Sequence, residues 1–354
     1  MSGYRLGDGG AGRRAAHPDH PVDGWGTGPD GSPDRVLREC LSAAIAAPSV
    51  HNTQPWRFRP RGGGVDVFAD YTRRLDVIDP DGRELMISVG AAILNLRVAI
   101  LAHGREPLLR PFPSPGEPDL VAHVTPGPPQ RPDATVRALA DAVPRRRTNR
   151  RPFSSAPVPD EVLGELAAAA RAEGAELTVA DRSAREAVIS LVRTADARRR
   201  EDPAYWAELA EWTLALPGRR DGVPPETFGP WSALEALPLR DFGLIQPARN
   251  RRVAHFEDEP TLAVLRTPGD GTTEWLRAGQ ALERVLLTAT VRGVASTLMT
   301  QPVEIPELRS LLDDPMAGRR AQAVIRLGYG PPTAPTPRRS LRDVLVTPHA
   351  DMVW

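Results

Sequence analysis

The sequence predicts an α+β protein made of two related halves, the second enlarged by an inserted segment. Three observations predict it. Apolar residues recur at helical spacing over 36–45 and 84–103, while β-rich runs at 56–59, 65–69 and 120–124 stand between glycines and prolines. The pattern Pro33-Asp34-x-Val36-Leu37-x-Glu39 returns as Pro159-Asp160-x-Val162-Leu163-x-Glu165. Further on, Gly90-x-Ala92-Ile93 followed by Gly104 returns as Gly279-x-Ala281-Leu282 followed by Gly293, with the same internal spacing. Two echoes in the same order point to a duplication. Their offsets of 126 and 189 place about 63 extra residues in the second copy.

Residues 1–31 are rich in Gly, Pro, Asp and Arg without periodicity, which predicts a disordered tail. The tail contains Gly7-x-Gly9-x-x-Gly12, but no strand precedes it and no helix follows, so it carries no weight as a dinucleotide fingerprint. The first half is assigned to 32–130 and the second to 131–354. Ser32 is expected to cap the first helix, with Pro33 at its first position, where the missing N–H is harmless. Val36, Leu37, Cys40, Leu41, Ala44 and Ile45 form its apolar stripe, and Pro48 ends it. Trp56–Arg59 and Val65–Ala69 read as strands joined across Gly62 to Gly64. The helix over Glu84–His103 is apolar enough to suggest a membrane span, yet Asn95 and Arg97 lie near its middle, where an arginine in lipid costs about 2.5–3.5 kcal/mol. It is read as the buried helix of a soluble protein. Leu120–Val124 is a short strand before a proline-rich connection. In the second half, about 194–259 gathers Tyr205, Trp206, Trp212, Phe228, Trp231, Phe242 and Phe256 among many prolines. That composition predicts a lid over a site, the competing reading being an elaboration of packing.

The 354 residues are 41% hydrophobic, ample for a core, and their 45 basic and 45 acidic residues balance. A neutral chain lacks the cationic surplus that nucleic acid or an anionic membrane selects, so neither is expected as a partner. All the basic residues are arginine, which excludes Schiff-base and P-loop lysine chemistry while leaving a side chain suited to phosphate. Cys40 stands alone, so there is no intrachain disulfide or thiolate metal site, no metal is expected, and a reducing cytoplasm fits best. The N-terminus has no apolar core of the signal-peptide kind.

The chemistry concentrates in two segments. "APSVHNTQPW", Ala47 to Trp56, places Ser49, His51, Asn52 and Gln54 on a helix exit pinned by Pro48 and Pro55, where polar groups are held at low entropic cost. Helix capping and turn formation would use the same amides. "RRTNRRPFSSAPVPDEVL" offers Arg146, Thr148 and Arg150, cations and a hydroxyl of the kind that grips an anion. The runs Arg198–Arg200 and Arg249–Arg252 read as solvated surface, although one of them is able to reach the phosphate of a nicotinamide cofactor.

The first segment resembles the Ala-Pro-Ser-x-x-Asn-x-Gln-Pro-Trp helix exit of the nitroreductase superfamily, and the second resembles that family's Arg-x-Ser-x-Arg segment, with Thr148 in place of serine. "LGYGPPTAPTPRRSL" is similar to its closing strand and terminal basic pair, Arg338 and Arg339. The resemblance, closest to the Acg-like branch of fused nitroreductases, spans roughly 33 to 346 and implies a duplicated nitroreductase fold, with antiparallel or mixed sheets flanked by helices. It implies FMN as cofactor, bound by Pro48, Ser49, His51, Asn52, Gln54, Arg146, Thr148, Arg150, Arg338 and Arg339; Arg146 and Thr148 would hold the phosphate and Arg150 would lie near the flavin N1/O2 edge. Single-domain members are homodimers with flavin at the interface. Here the amide loop occurs only in the first half and the arginine segment only in the second, so a monomer with an internal pseudo-dimer and one FMN is expected. The implied reaction is hydride transfer from NAD(P)H through FMN to a small electron acceptor, a nitro compound or a quinone. The alternative is a protein that stores flavin under a closed lid. No catalytic acid or base is assigned.

Overall fold

Asp34 opens the first helix, α1 (Arg35–Ile45): its carboxylate accepts a hydrogen bond from the Leu37 N–H at 2.8 Å. This corrects the expected start. The computed structural model describes residues 34–214, 216–232, 237–243 and 251–346; Ser32, Pro33 and the expected tail 1–31 lie outside the described residues. The expected stripe is the buried face of α1, where Leu37, Cys40, Leu41 and Ala44 are all buried.

A hairpin follows, β1 (Trp56–Arg61) and β2 (Gly64–Ala69), and then the core helix α2 (Arg83–Ala102). α2 is long and apolar enough to cross a membrane by length and composition, but here it is sheathed by protein. Asn95, fully buried, donates to the Ala43 carbonyl at 3.1 Å, and Arg97 pairs with Glu173 at 2.6 Å. Next come β3 (Arg105–Pro111) and β4 (Leu120–Pro129). β3 was not foreseen, and β4 runs through prolines expected to end it. The register explains the tolerance: β4 pairs with β2 only over Leu120–Val124, and beyond Val124 its only strand partner is β3, so the missing proline N–H groups cost no ladder bonds on the open side.

After β4 come α3 (Ala134–Ala142), α4 (Asp160–Ala172) and β5 (Glu176–Val179), then a long excursion with α5 (Arg182–Arg200), α6 (Pro203–Thr213) and a two-residue parallel pair, β6 (Trp231–Ser232) and β7 (Val253–Ala254). β8 (Thr261–Thr267), α7 (Thr272–Val291), β9 (Ala295–Leu298), α8 (Pro306–Ser310), β10 (Arg320–Gly328) and α9 (Leu341–Val344) complete the described chain. Thr194, the expected start of the insertion, lies inside α5, so the excursion leaves the sheet earlier, after β5.

The two four-stranded sheets are ordered β1-β2-β4-β3 and β5-β8-β10-β9, all antiparallel. With β1 to β4 set against β5, β8, β9 and β10, the orders coincide. Helices α2 and α7 cross between them at the repeated glycines. A Cβ on Gly90 would lie 2.3 Å from the Leu276 carbonyl oxygen, and one on Gly279 would lie 2.0 Å from that of Ile87. Only glycine permits this approach. Ile87 and Leu276 are themselves separated by the repeat offset, so the contact is reciprocal, as at a two-fold axis.

Two later segments also reach back over the first part of the chain. Past β10 the chain returns to the first sheet, where Leu345 bridges Phe58 and the Val346 N–H donates to the Phe58 carbonyl at 2.8 Å. The excursion packs Tyr205, Leu209, Trp212, Val223, Phe228 and Phe242 onto Leu75 and Ile78 of the first half.

Candidate functional site

The exit of α1 is built under backbone constraint. His51, Asn52 and Gln54 hold φ of 45°, 56° and 52°, left-handed conformations that non-glycine residues adopt at a cost of about 1–3 kcal/mol each. Neighbours impose them. The Ser49 hydroxyl accepts from the Gln54 N–H at 2.9 Å, Ser88 of α2 accepts from the Val50 N–H at 3.1 Å, and the Asn52 and Thr53 N–H groups close turns onto Ser49 and Val50.

Across from this loop runs the arginine segment after α3. The Asn149 N–H donates to the Ser296 carbonyl at 2.8 Å and Thr148 bridges Ser296, which fixes the segment along the open edge of β9. Arg338 arrives from the returning C-terminal stretch and donates to the Asn52 side-chain oxygen at 3.0 Å and the Ala46 carbonyl at 3.3 Å. Together Pro48, Ser49, His51, Asn52, Arg146, Thr148, Arg150 and Arg338 line one cleft between the halves.

Gln54 and Arg339 do not line it. Gln54 is fully buried and its amide donates to the Arg220 carbonyl at 2.8 Å while accepting from the Arg339 N–H at 2.7 Å. The Arg339 guanidinium donates to the Gln54 and Asp343 carbonyls, at 3.2 and 2.6 Å. Both fasten the returning stretch to the loop. Asn52 faces the cleft, but its amide donates to the Gly222 and Pro337 carbonyls at 2.9 and 3.2 Å. The amides therefore serve as ties first.

Positive charge is crowded here. Arg146 meets buried Glu283 of α7 at 3.5 Å, an ion pair without hydrogen-bond geometry, and the Nε atoms of Arg146 and Arg338 have no partner among the described residues. Burial, and then the neighbouring Arg146, push the Arg338 guanidinium down to about 9. Burial and Arg240 push Arg150 down to about 10, and no carboxylate among the described residues pairs with it. Burial raises Glu283 to about 7 against the opposing pull of Arg146, Asn95 and Arg338. Arg146 and Arg338 thus share one reluctant carboxylate while Arg150 has none, an arrangement that an anion would relieve. His51 is buried with neither ring nitrogen bonded among the described residues; burial, then Arg240 and Arg150, hold its pKa well below 6.5, so it presents a neutral imidazole.

Residues of the excursion line the cleft as well. Phe242 meets the His51 ring edge-on at 5.2 Å and lies under the Arg150 guanidinium at 4.7 Å. Arg240 ion-pairs with buried Glu304 and donates to the Tyr205 hydroxyl at 3.2 Å. What remains open is about 80 Å³. Leu239, Arg240, Phe242, Thr297, Leu298 and Thr300 also face the cleft and were not found in the sequence. The three at the end of β9 become visible only through the sheet order, whereas Phe242 was present as part of the aromatic run. Trp56 is fully buried in the core.

The family model of the nitroreductase family matches residues 143–329. A Mycobacterium tuberculosis protein provisionally named as an NAD(P)H nitroreductase, Rv3131, is 36% identical over 322 residues, covering 88% of this chain and 92% of the relative. The acg protein of the same organism, with a name of the same kind, is 31% identical over 316 residues, covering 87% and 95%. Among solved structures, the FMN- and NADPH-dependent nitroreductase NfnB of Sphigopyxis sp. strain HMH is 18% identical, with a TM-score of 0.37 over 59% of this chain and 98% of that one. With its motifs placed around one cleft and its relatives matched over nearly its full described length, the chain belongs to the nitroreductase family, in the Acg-like branch.

Proposed function

We propose that the chain is an FMN-dependent oxidoreductase that carries a hydride from NAD(P)H to a small electrophile such as a nitro compound or a quinone. One observation carries this reading: the loop of the first half, the arginine segment of the second and the returning Arg338 converge on a single cleft. The residues fit the cofactor, because an excess of buried guanidiniums with unbonded Nε atoms suits a phosphate. Arg146, Thr148 and Arg338 would hold that phosphate, and Arg150 would face the polar edge of the ring. Bound FMN would supply the redox chemistry; the chain positions it and excludes water. A fixed cation at Arg150 favours negative charge on a neighbouring group. The uncharged His51 ring offers one donor and one acceptor without taking a proton.

The reciprocal glycine crossing and the matching strand orders support an internal duplication of halves 32–130 and 131–354, with the excursion as a lid. The second half turns out of α4 through Ala172-Glu173-Gly174 and has no counterpart of the amide loop. One complete site per chain follows, and a cytoplasmic monomer suffices to form it. A specific observation favours a second reading: Phe242, wedged between His51 and Arg150, closes the cleft as it would in a flavin store with little turnover.

The visible spectrum of the purified protein and its extracted flavin test the proposal. One FMN per chain is expected; a colourless protein that takes up no added FMN, or two per chain, overturns it. Stopped-flow mixing with NADPH then separates the readings, since bleaching within seconds marks a reductase and persistence of the yellow colour over minutes marks a store.

A further inference from the structure

Behind the lid lies a second, larger cavity of about 640 Å³, which shares Arg150, Leu239 and Arg240 with the cleft as a common wall. Its remaining lining comes almost wholly from the excursion, so it belongs to the feature that sets this chain apart from a plain pair of sheets. The lining combines flat aromatic surface, from Trp206, Trp231 and Phe256, with five arginines against two aspartates. Trp231 carries the Arg251 guanidinium 4.3 Å from its ring, and Arg251 in turn ion-pairs with Asp241. Burial raises the other carboxyl, Asp196, to about 6 against the opposing pull of Arg240 and Arg200, so at neutral pH it is a carboxylate already neighboured by two of the arginines. Arg200, on the last turn of α5, is exposed at the rim, and its backbone carbonyl accepts from the Trp206 indole N–H at 2.9 Å. Wall and rim therefore hold a ring-stacking surface and a surplus of forked donors side by side, separated from the cleft by two guanidiniums and a leucine side chain.

We propose that this cavity binds a flat aromatic molecule bearing a phosphate, sulfonate or carboxylate, stacked against Trp206 and Trp231 with its anionic group at Arg200. The inference deepens the proposed function, on which it rests for its meaning, by naming the substrate class that reaches the common wall. Two sources share the chemistry: the adenylate end of a phosphorylated nicotinamide dinucleotide, and an anionic quinone or nitroaromatic acceptor. Arg200 contacts no part of the cleft and is not part of the flavin-binding set.

Isothermal titration of the full chain, with and without FMN, tests it with two probes, 2′,5′-ADP and anthraquinone-2-sulfonate, beside their uncharged counterparts adenosine and 2-(hydroxymethyl)anthraquinone. At least one charged probe is expected to bind, at least tenfold more tightly than its uncharged counterpart and more weakly as salt rises. Arg200→Ala is expected to abolish that preference while leaving the melting temperature unchanged, because the residue is exposed. Binding of 2′,5′-ADP assigns the cavity to the reductant, and binding of anthraquinone-2-sulfonate assigns it to the acceptor. Failure of both charged probes, equal affinity for charged and uncharged forms, or indifference to Arg200→Ala overturns the proposal. Because flavin-free protein is titrated as well, that failure is distinct from failure to bind FMN.

Discussion

The exits of α1 and α4, the two helices that carry the repeated Pro-Asp-x-Val-Leu-x-Glu pattern, are built in opposite ways. The second half turns on Gly174, at φ +74°, with the Ala175 N–H returning to the Ala170 carbonyl at 3.1 Å. Glycine makes that turn at little steric cost. The first half makes its turn with three non-glycine residues in left-handed conformations and holds them there with ties to α2, the excursion and the returning C-terminal stretch. Strain persists where surrounding structure enforces it, and here that is the side facing the arginines.

The most severe way to break the comparison is to separate the halves at their crossing. Gly279→Val places a side chain against the Ile87 carbonyl and is expected to destabilise the protein by about 3 kcal/mol or more, read as a lowered denaturation midpoint. Gly293→Ala, which meets nothing within 4 Å but sits at φ +70°, serves as the mild counterpart at about 1 kcal/mol. Next in size is flavin retention. Arg338→Ala and Arg150→Ala should each weaken FMN binding roughly tenfold to a hundredfold, the range of a lost charge-assisted hydrogen bond. Arg199→Ala, whose guanidinium donates to the Val77 and Glu304 carbonyls away from the cleft, should leave it unchanged. Equal losses from all three would remove the arginine grip.

The smallest effect sharpens the comparison through pH. His51 in the first half has a folded pKa well below 6.5, so the unfolded chain binds the extra proton and stability falls as pH drops below about 6.5. Glu283 in the second half is raised from 4.5 to about 7, so the folded chain binds the extra proton and its stabilisation is lost as pH rises between those values. Melting temperature against pH should therefore lose its acid limb in His51→Asn and its limb between 4.5 and 7 in Glu283→Gln. A profile unchanged by both would reassign the titration to other buried groups.

Much of this was legible in the sequence because local patterns carried it. Helical spacing placed α1 and α2, the Gly62–Gly64 turn placed the first hairpin, and the repeated glycines marked the crossing. What stayed hidden depends on neighbours distant in the chain. The prolines of β4 read as a break because sequence does not show which side of a strand is unpaired. Asp34 and Ser32 are both good caps by type, and it is the Asp34 carboxylate that meets the Leu37 N–H. Gln54 and Arg339 fit a binding motif by type, yet each found the other; a buried amide takes its nearest partner, and only coordinates reveal which that is. Thr297 and Thr300 carry no motif and gain their place solely from the end of a strand.

The segments that reach back have a consequence for how the two sheets stay together. Leu345 and Val346 are sewn to Phe58, Arg146 donates to the Ala46 carbonyl, and the excursion is seated on Leu75 and Ile78, so the attachment is distributed over the whole contact. The short bridge at 131–133, largely exposed and outside every helix and strand, contributes almost nothing to it. A chain nicked there is expected to hold its two fragments together through these contacts, read as co-elution of both on gel filtration.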